Sequence, residues 1–104
     1  MAAGPMKMRA TVGGGYTEVR VLMTHPMETG LRKDPDGKIV PMHFIQTMLV
    51  KVNGRTAVEA QTSQAISRNP VFSFRLKGGA KGDQIEVSWL DNHGETNSTV
   101  TAVA

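Results

Sequence analysis

The sequence contains no cysteine among its 104 residues. A chain without thiols cannot form a disulfide bond, a cysteine nucleophile or a thiolate metal site. Aromatic residues make up only 5% of the chain. No run approaches the roughly 20 consecutive apolar residues that a membrane-spanning helix needs. We therefore expect neither thiol chemistry nor a membrane partner.

Concentrated charge is also missing from the sequence. The net charge is +3, and the 12 basic residues are spread from Lys7 to Lys81 without a run. Binding to a phosphate backbone needs a stripe of positive charge, usually with aromatic side chains that stack on bases. We therefore expect no nucleic-acid partner.

What the chain does have is alternation of apolar and polar residues with a period of two. The stretches "TEVRVLMTH", "VFSFRLK" and "QIEVSWLD" show it most clearly, and "ETNSTVTAV" is rich in β-branched residues. Successive side chains of a strand point to opposite faces, so this pattern predicts half-buried strands. The predicted core contains five residues, namely Val21, Phe72, Phe74, Val87 and Trp89.

Turn residues separate these runs. Asn53-Gly54 predicts a tight hairpin, and Asp34–Gly37 predicts a turn with proline at its first corner. The stretches "GGGY" and "KGGAKG" are interpreted as hairpin connections, and "SQAISRNP" as a short turn that ends at Pro70. About seven strands with such turns predict an all-β, antiparallel, immunoglobulin-like β-sandwich. We expect a flexible lead-in over 1–6 and a single domain over 7–104.

One predicted strand, "HFIQTMLVKV", is apolar on both faces. Simple alternation places Phe44 and Met48 on one face, and Ile45 and Leu49 on the other. A strand of this kind either lies beneath a covering loop or contacts a partner. Both alternatives remain open from the sequence.

The residues that could carry chemistry are few. No nucleophile elbow, dinucleotide fingerprint or phosphate-binding loop is present. His25, Met27 and His43 could together bind copper, since imidazole and thioether ligands suit that metal. The preferred interpretation is that His25 and His43 are polar caps at strand ends, with His93 far away in a different turn. We therefore expect no catalytic residue, no metal and no cofactor.

The remaining interpretation of Thr24–His43 is a binding surface. Loops of this length are uncommon in compact domains unless they have a function. Glu28 and Arg32 are expected within pairing distance, and Met27 and Leu31 as partly exposed apolar groups. An apolar centre with a charged rim is typical of a protein–protein contact.

Three sequence blocks resemble one known family. These are "MTHPMETGLRKDPDGKIVP", "NPVFSF" at 69–74 and "VSWLDNHGET" at 87–96. They are similar to the Z subunit (SoxZ family) of the Sox carrier complex of bacterial thiosulfate oxidation, over about 7–103. Met42 and His43 depart from the basic residues expected after the proline in the first block.

The resemblance implies a non-enzymatic role. A family member forms a tight heterodimer with the Y subunit, whose C-terminal cysteine carries sulfur intermediates between other Sox enzymes. These enzymes dock transiently on the complex in the periplasm. The chain would be exported with the Y subunit, since no signal peptide is visible. On this basis we expect a partner interface that comprises His25, Pro26, Met27, Glu28, Thr29, Gly30, Arg32 and, as weaker candidates, Ile45 and Leu49.

Overall fold

Seven antiparallel strands form two sheets that pack face to face. The computed structural model describes residues 6–62 and 69–104. The strands are β1 (Lys7–Gly13), β2 (Tyr16–Leu22), β3 (Ile45–Val52), β4 (Arg55–Gln61), β5 (Val71–Lys77), β6 (Gln84–Asp91) and β7 (Thr96–Ala102). One sheet has the order β1-β2-β5 and the other β4-β3-β6-β7. The predicted all-β sandwich of about seven strands is confirmed.

No helix in this described part of the chain is long and apolar enough to cross a membrane. The predicted lead-in lies mostly outside the described residues. Met6, its last residue, packs against the core. The turn predicted at "SQAISRNP" also falls largely on residues outside the described part, namely 63–68.

The core lies between the inner faces of the two sheets. Val21 of β2 and Val87 of β6 are fully buried, and Trp89 is 2% exposed. Phe72 and Phe74 of β5 are half-buried and pack against this cluster. The predicted core residues therefore all face inward, because the period of two places every second side chain of a strand on the same face.

The turns agree with the sequence at most positions. Asn53 and Gly54 have φ values of 49° and 84°, as a type I′ hairpin between β3 and β4 requires. Gly14 and Gly15 make the corresponding hairpin between β1 and β2. The hairpin predicted at "KGGAKG" is wrong, since this segment connects β5 in one sheet to β6 in the other.

Gly79, in the connection between the sheets, gives a stability prediction. Its φ is +103°, and a Cβ there would collide with Oγ1 of the buried Thr17, which donates a hydrogen bond to the Gly78 carbonyl at 2.8 Å. Gly79→Ala is expected to lower the free energy of unfolding by about 2–3 kcal/mol. Urea denaturation measures the loss.

The matched control is Gly82→Ala in the same connection. Gly82 has a φ of +89°, but a Cβ there would meet no atom within 4 Å. The free energy of unfolding of this variant should fall by only about 1 kcal/mol, which is the cost of placing a residue other than glycine in a left-handed conformation. Equal losses in the two variants would show that Thr17 adapts to the extra carbon.

Residues 28–43, which we call the arm, form an irregular hairpin between β2 and β3. Glu28 and His43 close its base with two backbone hydrogen bonds of 2.6 and 3.0 Å. Lys33 pairs with Ile39 further along. The predicted turn at Asp34–Gly37 forms the tip, where the Gly37 N–H donates to the Asp34 carbonyl at 3.0 Å.

The start of β3 differs from the simple alternation. Ile45 pairs with Asp91 and Thr47 pairs with Leu90, so the register against β6 shifts between Ile45 and Thr47. This irregularity turns Ile45 into the core, where it is 0% exposed. The prediction that Ile45 lies on the face opposite Met48 is wrong, because a bulge adds one residue to the strand.

Candidate functional site: a buried histidine–aspartate network beneath the arm

Three polar side chains meet inside the end of the sandwich. His25 lies three residues after the end of β2, His43 lies two residues before the start of β3, and Asp91 is the last residue of β6. All three are buried, with 2%, 5% and 2% of their surfaces exposed. The fold thus brings together residues from three distant segments of the chain.

Asp91 is the centre of this network. Its Oδ2 lies 3.0 Å from Nε2 of His25 and 2.6 Å from Nε2 of His43. Its Oδ1 accepts hydrogen bonds from the backbone N–H groups of His93 and Glu95, both at 2.9 Å. One carboxylate therefore has four hydrogen-bonding neighbours, which is how a buried charge is tolerated in a protein interior.

The proton of His25 has a definite place. The Met27 N–H donates to Nδ1 of His25 at 3.0 Å, so Nδ1 is an acceptor. In a neutral imidazole the other nitrogen must then carry the proton, and Nε2 donates to Asp91. Because both nitrogens have partners, the ring orientation is fixed.

The electrostatics of the pair favour a carboxylate beside a neutral imidazole. Burial alone would raise the pKa of Asp91, but the hydrogen bonds from His25, His43 and two backbone N–H groups lower it below 3.8. Burial lowers the pKa of His25 below 6.5, and the hydrogen bond to Asp91 opposes this effect only in part. Burial therefore decides the direction of the His25 shift, and hydrogen bonding decides that of the Asp91 shift.

Aromatic contacts surround the network. The ring of His93 stacks on His43 with centroids 3.8 Å apart, and the ring of Trp89 meets His25 edge to face at 5.0 Å. Glu95 lies 3.5 Å from Nε2 of His43. The prediction that His93 lies far from the other histidines is wrong, because the turn after β6 returns it to His43.

These groups give the copper hypothesis no support. Asp91, His25 and His43 are close enough for each to offer one ligand atom. A metal on Nε2 of His25 would, however, require the proton on Nδ1, where it would oppose the Met27 N–H. The sulfur of Met27 instead accepts the Ile45 N–H at 3.4 Å. The geometry is that of a structural network that anchors the base of the arm.

The arm presents the accessible part of the site. Leu31, Ile39 and Met42 are 84%, 61% and 40% exposed. Arg32 and Glu28 form two hydrogen bonds of 3.0 and 2.6 Å, which confirms the predicted pair. Large exposed apolar side chains beside a charged pair are typical of a surface that contacts another protein.

The other predicted site residues divide by burial. Pro26, Thr29 and Gly30 retain partial exposure beside the arm's base, and Leu49 is half-buried on the outer face of the four-stranded sheet. Met27 was predicted to be partly exposed, and this is wrong, since it is 5% exposed and packs in the core. The interface role of these residues remains a prediction.

Sequence reasoning missed Asp91, although a signal was present. Val87, Trp89 and Asp91 lie at i, i+2 and i+4 of one strand, so the same face that buries the first two must bury the carboxylate. A buried carboxylate needs donors. His25 and His43 are the side-chain donors that the fold supplies.

Fold and site together define a small all-β sandwich protein, in which a buried polar network holds the base of an arm with exposed apolar side chains. Residues 6–102 match the family described as "Sulphur oxidation protein SoxZ". The match covers nearly the whole chain, and the chain belongs to the SoxZ family, a component of the Sox sulfur-oxidation system. The family resemblance drawn from the three sequence blocks is confirmed.

Other comparisons bear on the fold alone. No curated protein sequence matches this chain. Among solved structures, the crystal structure of superoxide reductase in the oxidized state is similar, with a TM-score of 0.67 and 14% identity. The similarity covers 100% of this chain and 90% of that one. At this identity the likeness shows a shared β-sandwich architecture.

Proposed function

We propose that this chain is a non-catalytic subunit of the periplasmic carrier complex of thiosulfate oxidation. In this proposal it forms a heterodimer with the Y subunit, whose C-terminal cysteine carries sulfur intermediates between Sox enzymes, and it is exported together with that subunit. The observation that carries the proposal is the SoxZ family match over residues 6–102. The absence of cysteine supports it, because no thiol of this chain could hold the sulfur.

The arm is our candidate for the Y-subunit contact. Its three exposed apolar side chains lie within one short segment, and they would lose contact with water in a complex. The backbone hydrogen bonds between Glu28 and His43 and the network below hold the arm's base in place. A preorganised surface of this kind binds with a smaller loss of conformational entropy than a mobile loop.

The variant that tests this assignment places two charges on the arm. Leu31→Asp combined with Ile39→Asp should weaken binding of the Y subunit by at least about 30-fold, since central apolar contacts often contribute about 2 kcal/mol or more. Both side chains are exposed, so the domain should stay folded. Co-expression with a tagged Y subunit, followed by calorimetric titration of the purified partners, measures the change.

Val100→Asp on β7 is the matched control. Val100 is 53% exposed but lies outside the arm, so this variant should bind the Y subunit like the wild type. Leu49→Asp tests the weaker predicted contact on the four-stranded sheet. Loss of binding in Leu49→Asp with full binding in the arm variant would place the interface on that sheet and refute the assignment to the arm.

A further inference from the structure

The outer face of the three-stranded sheet gathers much of the chain's positive charge. It carries one acidic residue, Glu18, and five basic residues, namely Lys7, Arg9, Arg20, Arg75 and Lys77. The resulting net charge of +4 on one face exceeds the +3 of the whole chain. The basic residues are dispersed in the sequence, but strand register assembles them, which corrects the expectation that they do not cluster. We call this surface the basic face.

Two arginines on this face stand directly opposite each other. Arg9 of β1 pairs in register with Arg20 of β2, and Ser73 of β5 follows in the same row. Like charges at directly opposed positions destabilise a sheet. Arg20 donates to the Ser73 hydroxyl at 3.4 Å, and neither arginine forms an ion pair with an acidic group within 6–62 and 69–104.

The compensation available within this face is small. Glu18 lies 3.6 Å from Arg75, and both side chains are mostly exposed. An exposed pair of this kind contributes little and leaves the arginine row uncompensated. Carboxylates supplied by another molecule would remove the repulsion between Arg9 and Arg20.

The neighbouring side chains indicate what type of molecule that is. Leu22 and Val71 are 39% and 56% exposed and lie beside each other in the row next to the arginines. Tyr16 is 47% exposed at the other end of the face. Arginine and tyrosine beside exposed apolar groups are typical of a protein contact. A single tyrosine is too few for the stacking on which single-stranded nucleic-acid binding depends.

The size of the surface agrees with a transient contact. A groove of about 700 Å³ is lined by Arg9, Arg20 and Leu22, among others. Three strands spaced about 4.8 Å apart and about 20 Å long offer a few hundred Å². Contacts of that size are weak and transient. The surface is therefore smaller than a permanent subunit contact requires.

We infer that the basic face docks an acidic protein segment that also carries apolar side chains. Its carboxylates lie on the row of Arg9 and Arg20, and its apolar residues contact Leu22 and Val71. Binding is transient and weakens with salt, because the charges on this face are exposed and screened. This surface is separate from the arm and does not depend on the function proposed for it.

The test is a titration of the whole chain, followed by backbone amide NMR, with a short peptide that alternates glutamate and leucine. We expect shift changes in β1, β2 and β5, and weaker binding at high salt. Arg9→Gln combined with Arg20→Gln should lower the affinity at least about tenfold, as loss of about 1.4 kcal/mol predicts. The matched control, Lys51→Gln with Arg55→Gln on the other sheet, should bind like the wild type.

Folding and the Y subunit provide the internal checks. The Arg9 and Arg20 variant should unfold at the same or a slightly higher temperature than the wild type, because it removes a like-charge contact. It should also bind the Y subunit normally. Loss of peptide binding therefore tests the basic face, and loss of Y-subunit binding tests the arm.

Three outcomes would overturn the inference. In the first, the peptide loses as much affinity in the Lys51 and Arg55 control as in the Arg9 and Arg20 variant. In the second, inorganic sulfate alone reproduces the shift changes, which would make the face a simple anion site. In the third, a single-stranded oligonucleotide binds the face more tightly than the peptide does.

Discussion

Asp91→Asn is expected to lower the free energy of unfolding by about 3 kcal/mol or more, although asparagine has nearly the same shape as aspartate. The carboxylate of Asp91 is an acceptor at both oxygens. Oδ2 is hydrogen-bonded to two imidazole groups, and Oδ1 accepts hydrogen bonds from two backbone N–H groups. An amide has one oxygen and one NH₂ group. In either orientation of the new side chain, its NH₂ group therefore faces two groups that donate to the carboxylate.

Rearrangement of the histidines would relieve this conflict only in part. His43 could move its proton to Nδ1 and accept from the new amide. His25 is held as an Nε2 donor, because its Nδ1 accepts the Met27 N–H at 3.0 Å. One buried N–H would remain without an acceptor, which is the costly outcome in a protein interior. The midpoint of thermal unfolding should fall by more than about 12 °C.

Asp34→Asn is the matched control for this variant. Oδ1 of Asp34 accepts two backbone N–H groups, from Asp36 and Lys38, both at 2.9 Å. This turn is exposed and has no histidine beside it, so asparagine can make the same contacts. The expected loss is below about 0.5 kcal/mol. If both variants lost the same small amount in calorimetry, the buried network would not contribute as described.

Acidification is expected to destabilise the chain in two stages. The pKa of His25 lies below 6.5 in the folded state, so the unfolded chain takes up a proton first as the pH falls. The stability that the neutral His25 contributes is fully present above the pKa of His25 in the unfolded chain, and it is lost progressively below that pKa. The pKa of Asp91 also lies below its ordinary value of 3.8. Its contribution is present above that value and is lost as the pH falls further.

Denaturant unfolding at a series of pH values measures both stages. The wild-type free energy of unfolding should begin to decrease below about pH 6.5. His25→Gln should have a shallower slope in this first stage, whatever its own stability at neutral pH. Other titratable groups lie close to His25 or to its partner Asp91, namely His43 and Glu95. The contribution of His25 is therefore measured as the difference in slope between the wild type and His25→Gln. A wild-type curve that stays flat between neutral pH and about pH 5 would contradict the buried neutral imidazole.

The sandwich could be predicted because local patterns decide it. Alternation in β2, β5 and β6 defines the inner faces, and Asn53-Gly54 has the backbone freedom that a tight hairpin requires. The position of Ile45 could not be predicted in this way. A bulge depends on how β3 pairs with β6, which is a property of two strands rather than of one.

The candidate site was less accessible to sequence reasoning for a related reason. His25 and His43 were recognised as candidates, but their common partner Asp91 lies 66 and 48 residues away from them, respectively. The basic face likewise depends on cross-strand register, which places Arg9 opposite Arg20 although they are apart in the sequence. Contacts between strands of this kind require the three-dimensional arrangement.

The buried network and the arm are connected through His43 and His25. His43 closes the base of the arm through its backbone and binds Asp91 through its side chain. His25 does the same for the segment that leads into the arm, since it orients the Met27 N–H. The buried polar residues thus position an exposed apolar surface, and we propose that the chemistry of sulfur transfer belongs to the partner that this surface binds.

Hydrogen–deuterium exchange of the chain, alone and mixed with the Y subunit, measures whether the arm is the binding surface. We expect slower exchange in the complex for peptides that cover the arm, residues 28–43, with little change in β7. Arm peptides that exchange equally fast in the free and bound states, while another surface becomes protected, would contradict this expectation.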